Sequence, residues 1–318
     1  MVTNREFAII GVGMVGRSLA AALGGRGARV AAVASRRLES AQEAAALARC
    51  EFATTDLAAA ARCANAIALC VPDDAVAAAC AEAARGGGFE PGDVAIHFSG
   101  ALPAGVLAPA QAAGASILSL HPVQTFAQPD PGAFEGIVCV LEGDAEGVAF
   151  GRELAGALGA RAVEISAEHK PLYHAALCIA CNYLVTLADA GVGLLERAGL
   201  GDDALPALLP LLRGAVGNLA RVGLPAALTG PLSRGDAATV RAHLAALAEE
   251  APHLLPLYCA AGLEAVKLAL RKGGIGPEQA EALRQLLARI PHQGLVRNAG
   301  NPKSQDPSAK QCPNSNPQ

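Results

Sequence analysis

Two patterns of apolar residues divide the chain near residue 165. Before that point, short apolar runs alternate with alanine-rich segments whose apolar residues recur at helical spacing. The runs are FAII, RVAAVA, AIALCV, DVAIHF, SILSL and GIVCVLEG. Alternating strands and helices are typical of a mostly parallel sheet with helices on both faces. We therefore predict a doubly wound α/β domain over residues 1–165.

The second half has the pattern of helices alone. Between residues 166 and 298 the apolar positions follow helical spacing, and glycine and proline separate the segments. The last stretch, 299–318, is polar and proline-containing and has almost nothing to bury. We predict an all-helical domain over 166–298, followed by a disordered tail.

Three glycines follow the first predicted strand. Gly11, Gly13 and Gly16 spell GxGxxG between an apolar run and an alanine-rich helix, which is the setting in which this motif binds a dinucleotide. Gly11 permits a tight turn, Gly13 lets a diphosphate approach the backbone, and Gly16 lets the helix pack on the strand. We predict a Rossmann-type cofactor site that includes Met14 and Val15; a simple tight turn is the alternative.

The end of the second predicted strand indicates which dinucleotide is bound. An NAD site places an Asp or Glu there, whereas this chain has Ser35, Arg36 and Arg37. A hydroxyl and two cations suit the additional 2′-phosphate of NADP(H), so NADP(H) is the predicted cofactor. Alternatively, the two arginines are only solvated side chains at a helix start.

Further strand ends should reach the same crevice, because ligands of such sheets bind beyond the carboxyl ends of the strands. AIALCV ends at Val71 and leads into Pro72 and Asp73, and DVAIHF leads into Ser99 and Gly100. We predict that these residues line the nicotinamide side of the site. Asp73 or the aspartate after it would equally suit the cap of the following helix.

Candidate catalytic residues lie on both sides of the predicted boundary. His121 ends another strand, and histidine passes protons at neutral pH. Lys170, His174, Cys178 and Asn182 are spaced by four, which predicts one helical face of polar groups within an apolar segment. We expect His174 to donate a proton, assisted or replaced by His121, and Asn182 to orient a carbonyl oxygen. The alternatives are a structural His121, an exposed Lys170 at the helix start, and local hydrogen bonds for His174 and Asn182.

Charge and composition limit the classes of partner that we expect. The net charge of −4 gives no reason to expect nucleic acid or an anionic membrane. The most apolar later stretch, LPALLPLLRGAVGNLARVGL, is interrupted by Pro, Arg, Gly and Asn, so no membrane span is predicted. The charge fits a small-molecule substrate better. The nine cysteines lie mostly in apolar runs, which favours a reducing compartment, with the cytoplasm as the expected location.

The motifs GVGMVG, CVPDDAV, HFSG, SLHPVQTF, YHAALCIACNYL and ALTGPLSRGDAATVRAHL together resemble the Rossmann-like proteins that carry a C-terminal domain of unknown function 2520. The resemblance covers residues 5–290. That family is similar in layout to ketopantoate reductase, pyrroline-5-carboxylate reductase and the hydroxyacid dehydrogenases. It implies a nucleotide domain followed by a helical domain, through which we expect a homodimer.

The resemblance carries over only partly at the level of residues. Ketopantoate reductases have a lysine on the first helix after the nucleotide domain, then asparagines four and eight positions on. Asn182 matches the last asparagine, whereas Cys178 and His174 depart from the other two positions. His121 in SLHPVQTF is similar to the histidine of prephenate dehydrogenases that contacts the reacting hydroxyl.

These observations favour an NADPH-dependent reductase of a small carbonyl or imine, such as a 2-oxo acid. Two alternatives remain. One is a non-catalytic NADP(H)-binding sensor or partner-binding protein, and the other is an NAD-preferring dehydrogenase of the prephenate or hydroxyacid type.

Overall fold

A computed structural model describes residues 5–288 and divides the chain into two compact units, Met1–Asn182 and Tyr183–Gln318. The change from strands to helices falls after Glu164, close to the predicted position, but the first α-helix after it, Lys170–Leu177, belongs to the first unit. The predicted tail, 299–318, lies outside the described residues.

The first unit alternates strands and helices. Its strands are β1 Glu6–Ile10, β2 Arg29–Ala34, β3 Ala53–Thr54, β4 Ala66–Leu69, β5 Val94–His97, β6 Ser116–Pro122, β7 Val138–Gly143 and β8 Arg161–Glu164. Its helices are α1 Met14–Gly25, α2 Leu38–Ala48, α3 Leu57–Ala61, α4 Asp73–Arg85, α5 Ala108–Ala112, α6 Ala145–Ala157 and α7 Lys170–Leu177. The apolar pattern missed β3 and β8, because β3 has two residues and β8 reads RAVE, with a charge at each end.

The eight strands form one sheet in the order β3-β2-β1-β4-β5-β6-β7-β8. All neighbours are parallel except β6 and β7, which are antiparallel. The chain reverses its direction of winding between β1 and β4, which is where doubly wound sheets bind their ligands. The fold class predicted from the sequence is therefore confirmed.

Each face of the sheet is covered by helices. Phe7 and Ile9 of β1 are buried in one layer with α1, α2 and α6, while Ala8 and Ile10 are buried in the other with α3, α4 and α5. Successive residues of a strand point to opposite faces, so β1 contributes to both cores. Burial on both faces explains why the parallel strands read as continuous apolar runs.

The second unit is helical over its described residues, as predicted. Its helices are α8 Tyr183–Leu195, α9 Ala204–Val222, α10 Ala237–Glu250, α11 Leu255–Lys272 and α12 Pro277–Ala288. Val240, Val266 and Leu283 are buried in a core that α10, α11 and α12 share. α9 continues through Pro210, which the sequence suggested as an interruption.

By length and composition, two helical stretches are apolar enough to cross a membrane, Ala167–Val222 and Pro252–Lys272. Buried core helices pass the same test, but the apolar window of Ala167–Val222 is not buried, and that of Pro252–Lys272 is buried only in part. The first stretch is also not one regular helix. π turns at Cys178–Asn182 and Glu196–Leu200 interrupt it, and Gly199 has a non-helical φ of 97°.

Candidate functional site

The glycine loop between β1 and α1 contains two glycines that packing requires and one that faces open space. Gly11 has a φ of +95°, and a Cβ there would stand 2.6 Å from the carbonyl oxygen of Cys70. A Cβ at Gly16 would collide with the carbonyl oxygen of Gly11. At Gly13, by contrast, a Cβ would meet no atom within 4 Å. Packing therefore explains Gly11 and Gly16, whereas the open face at Gly13 fits the close approach of a diphosphate.

The start of α1 is ready to bind an anion. Gly13 occupies the N-cap position, no side chain caps the helix, and its first turn contains no acidic residue. Met14 is exposed and Val15 is half-buried. The first N–H groups of a helix lack internal partners and carry partial positive charge, so this end of α1 offers donors to phosphate oxygens.

Two unpaired cations follow β2. The backbone N–H of Ser35 donates to Thr54, which keeps this segment extended beyond the strand, and Arg36 and Arg37 are exposed. Among residues 5–288, no hydrogen bond or ion pair to either guanidinium is formed. Because β2 is the neighbour of β1, these cations lie on the strand next to the glycine loop.

Asp73 links the ends of β4 and β5. Pro72 holds the N-cap position of α4 and Asp73 is the first helical residue, so Asp73 does not act as the cap. Its carboxylate instead accepts a hydrogen bond of 2.7 Å from the hydroxyl of Ser99, which in turn accepts from the N–H groups of two following residues. Val71 packs against the glycine loop, with Cγ1 2.7 Å from the position of a Cβ on Gly11.

Lys170 lies inside the first unit and not on its surface. The side chain is fully buried, and Nζ donates to the hydroxyl of Ser119 at 2.5 Å and to the carbonyl of Ser99 at 3.3 Å. Burial lowers the pKa of Lys170 from 10.5 to about 8, although the carboxylates of Glu142 and Asp73 oppose the shift. The alternative of an exposed Lys170 is therefore wrong. Its ammonium joins the loop after β5 to β6, and its predicted catalytic role stays a prediction.

His97 at the end of β5 is also structural. It is buried, its Nδ1 accepts from the N–H of Ser99, and its Nε2 therefore donates to the carbonyl of Pro103. Burial, followed by the charge of Lys170, lowers its pKa to about 4. This neutral ring fixes the loop that leads to Gly100.

Two other histidines meet at Gly100. A Cβ on Gly100 would stand 2.9 Å from both His121 Nε2 and His174 Cδ2, and the two rings are 6.5 Å apart in an edge-on arrangement. Nδ1 of His121 lies 2.6 Å from the hydroxyl of Tyr173. Burial, then the charges of Lys170 and His174, lowers the pKa of His121 to about 4. The absence of a side chain at Gly100 thus allows two imidazoles to approach the end of β5.

The predicted polar stripe does not continue along one face. Cys178 Sγ lies 4.0 Å from Nδ1 of His174, but the π turn at Cys178–Asn182 then changes the helical register. Asn182 is exposed, and within the described chain no hydrogen bond of its side chain is formed. The structure brings His174 and His121 together and does not place Asn182 in contact with them, because spacing by four keeps one face only in a regular α-helix.

The sequence reasoning missed Tyr173, Ser119 and Glu142. Tyr173 precedes His174, so the available signal was a phenol beside a candidate catalytic residue. Ser119 lies two residues before His121 on the same strand face. Glu142 pairs across from Ser119 on β7 and accepts a hydrogen bond from the N–H of Ala104. The apolar pattern does not predict the antiparallel pairing of β6 with β7, which places Glu142 beside Ser119.

Comparison with known families gives two adjoining matches. Residues 3–122 match the Rossmann-like domain, and residues 137–265 match a domain of unknown function, DUF2520. No curated protein matches the sequence significantly.

Solved structures share the fold. A candidate NADP oxidoreductase from Bacteroides fragilis is 26% identical, with 84% of this chain and 100% of that chain aligned and a TM-score of 0.68. A Thermotoga maritima protein is 23% identical over 84% of this chain and 99% of its own, with a TM-score of 0.67. The pyrroline carboxylate reductase of Plasmodium falciparum, solved with NADP bound, is 13% identical over 89% of this chain and 100% of its own, with a TM-score of 0.53.

Proposed function

This chain belongs to the Rossmann-like proteins with a C-terminal domain of unknown function 2520, and we propose that it is an NADPH-dependent reductase of a small carbonyl or imine compound, such as a 2-oxo acid. The observation that carries the proposal is the open face of Gly13 at an uncapped helix start. A tight turn without a ligand requires Gly11 and Gly16 but gives no reason for a glycine at position 13.

The choice of NADP(H) over NAD(H) rests on Arg36 and Arg37. Within residues 5–288 the two exposed guanidiniums directly after β2 have no acidic partner; they attract the doubly charged 2′-phosphate and provide no carboxylate for the 2′-hydroxyl of NAD. The similar Bacteroides fragilis protein is itself a candidate NADP oxidoreductase, which supports the same cofactor.

The residues near Gly100 provide the protein's part in the chemistry. A reduced nicotinamide, when bound, supplies a hydride. His174 donates the accompanying proton, since His121, with a pKa of about 4, is neutral at pH 7 and holds no second ring proton to give. Asp73, Ser99 and buried Lys170 hold the loop after β5 in place, and this loop carries Gly100, which lies against both histidines.

Calorimetry tests the cofactor. Wild-type protein should bind NADPH more tightly than NADH, and the double variant Arg36→Ala with Arg37→Ala should bind NADPH on the order of 10- to 100-fold more weakly, while NADH affinity stays the same. Equal affinities in the wild type, or a tighter NADH complex, would favour the NAD-preferring dehydrogenase.

Turnover tests the enzyme. NADPH oxidation is followed with a panel of oxo acids, ketones and cyclic imines, and His174→Ala should lose on the order of 100-fold in kcat while still binding NADPH. The exposed His253 of the second unit provides the matched control, His253→Ala, with unchanged turnover. Tight NADPH binding without turnover on the whole panel would favour the sensor.

We also propose that a second copy of the chain covers the exposed apolar surface of α8 and α9. Val185 on α8 and Leu211 on α9 are 71% and 69% exposed, and further leucines and valines on both helices are exposed with them. Soluble monomers rarely expose large apolar patches. A symmetric pair of such faces would bury both at once, giving the expected cytoplasmic homodimer.

A further inference from the structure

His121 and Tyr173 form a pair that the proton-donor role of His174 leaves unexplained. The phenol oxygen of Tyr173 lies 2.6 Å from Nδ1 of His121, and the rings meet edge to face with centroids 5.7 Å apart. His121 is on β6 and Tyr173 on α7, so the contact joins two distant segments of the first unit. Both side chains are half-buried.

Both groups are in their neutral forms at pH 7. Burial lowers the pKa of His121 to about 4; the positive charges of Lys170 and His174 act in the same direction, and the carboxylate of Asp73 opposes them. Burial likewise raises the pKa of Tyr173 to about 12, so the phenol keeps its proton. A neutral imidazole has one nitrogen that donates and one that accepts.

The hydrogen bond between His121 and Tyr173 indicates which ring nitrogen of His121 carries the proton. In the described part of the chain, the phenol of Tyr173 forms its hydrogen bond with Nδ1 of His121. If Nδ1 carried the ring proton, the phenol would have to accept and its own O–H would be left without a protein partner. With the O–H donating to Nδ1, the phenol proton and Nδ1 are both paired, and the ring proton is on Nε2.

Nε2 of His121 is then a donor without a protein partner. It lies against Gly100, on the side where His174 approaches. Among the described residues, no buried side-chain nitrogen or oxygen lacks a hydrogen-bond partner. Since Nε2 has no partner among the described residues, it is not fully buried.

We propose that Tyr173 is a positioning residue that holds His121 as the Nε2–H tautomer, and that His121 thereby presents a neutral hydrogen-bond donor to the carbonyl oxygen of the substrate. The use of this donor on a substrate rests on the proposed reductase function. Negative charge develops on a carbonyl oxygen as hydride arrives at carbon, and a fixed N–H stabilises that charge. A protonated imine carries an N–H donor itself and finds no acceptor in this tautomer, so the arrangement favours carbonyl substrates over imines.

Long-range ¹H–¹⁵N correlation NMR of the full chain at pH 7, without cofactor or substrate, tests the tautomer. His121, assigned from the signal lost in His121→Gln, should show a protonated Nε2 and an unprotonated Nδ1. In Tyr173→Phe a substantial Nδ1–H population should appear. A cationic ring, or a protonated Nδ1 in the wild type, would overturn the proposal.

The second unit contains a matched control. Nδ1 of His243 lies 3.0 Å from the hydroxyl of Tyr258, with ring centroids 6.0 Å apart in the same edge-on arrangement. Tyr258→Phe should therefore change the signals of His243 and leave those of His121 unchanged. A change at His121 in this variant would show that the response to Tyr173→Phe is not local, and would count against the proposal.

Kinetics test the use of the donor. With a reducible ketone or oxo acid, Tyr173→Phe should lower kcat on the order of tenfold, with little change in KM or in NADPH affinity. An altered tautomer together with wild-type kcat would overturn the role of His121 as donor. If the wild type reduces no carbonyl compound, the proposed function fails, while the NMR result still decides the tautomer.

Discussion

Replacing Lys170 by methionine would measure what its buried ammonium does to stability. Methionine has similar length and no charge, and it removes the hydrogen bonds to Ser119 and to the carbonyl of Ser99. The folded pKa of Lys170 is about 8, below its ordinary value of 10.5. Between these pH values the unfolded chain binds the proton and the folded chain does not, so stability rises with pH across this window. The penalty for the charge is complete below pH 8 and disappears above pH 10.5.

The size of this effect follows from the two pKa values. The difference between 10.5 and about 8 corresponds to roughly 3 kcal/mol, at about 1.4 kcal/mol for each tenfold change in proton affinity. Methionine relieves that penalty at pH 7 but leaves the hydroxyl and carbonyl without their donor, at about 1 kcal/mol each. We expect Lys170→Met to be within about 2 kcal/mol of the wild type at pH 7. Between pH 7 and pH 10, the wild type should gain about 2 to 3 kcal/mol relative to the variant.

Urea titrations followed by circular dichroism at several pH values between 7 and 10 would measure this difference. Lys267 on α11 provides the control, because its ammonium is exposed and stays in contact with water in both states. Lys267→Met should keep a constant offset from the wild type over the same range. A constant offset for Lys170→Met as well would show that the buried ammonium is not destabilised, and the reasoning about this site would be wrong.

Three further predictions use the glycines and the apolar helical face. Gly13→Leu should leave the free energy of unfolding within about 1 kcal/mol, because its Cβ points into open space, but the side chain would fill the place of the diphosphate and abolish NADPH binding in calorimetry. Gly16→Ala should destabilise the fold by several kcal/mol, on the order of a severe core clash. Equal stability losses in the two variants would contradict the cofactor interpretation. Gly100→Ala should lower stability by about 1–3 kcal/mol and reduce turnover, because the methyl group displaces two imidazoles, and Gly105→Ala, with open space at its Cβ, is the control that should change neither. Leu211→Glu should convert a dimer to a monomer in sedimentation velocity; a wild-type monomer would contradict the homodimer, and binding of the wild type to liposomes would point to a membrane surface instead.

The sequence predicted the sheet and the glycine loop because both depend on local chemistry. Continuous apolar runs such as AIALCV are what a parallel strand needs when both of its faces are buried. Gly16 is required by its contact with the carbonyl of Gly11 inside the same strand–turn–helix unit, whereas Gly11 has a positive φ and also meets Cys70 and Val71 at the end of β4. The spacing of the motif predicts all three glycines, but only the fold shows that β4 is the neighbour that restricts Gly11.

The proposed catalytic surroundings were predicted only in part. His121 was expected at a strand end, and it lies there, with His174 beside it. The regular stripe from Lys170 to Asn182 was not found, since spacing by four assumes an unbroken α-helix and a π turn intervenes. Residue spacing cannot indicate a change of helical register that packing imposes.

The sequence by itself determined the strands that read as apolar runs, the glycine motif after β1, and the cations next to β2, because each of these is a pattern of residues close in the chain. Only the tertiary structure decided that Lys170 is buried against Ser119 and that Tyr173 meets His121. Those contacts join α7 to β6 across about fifty residues of chain, and the pKa values of the groups depend on burial and on charges that only folding brings together.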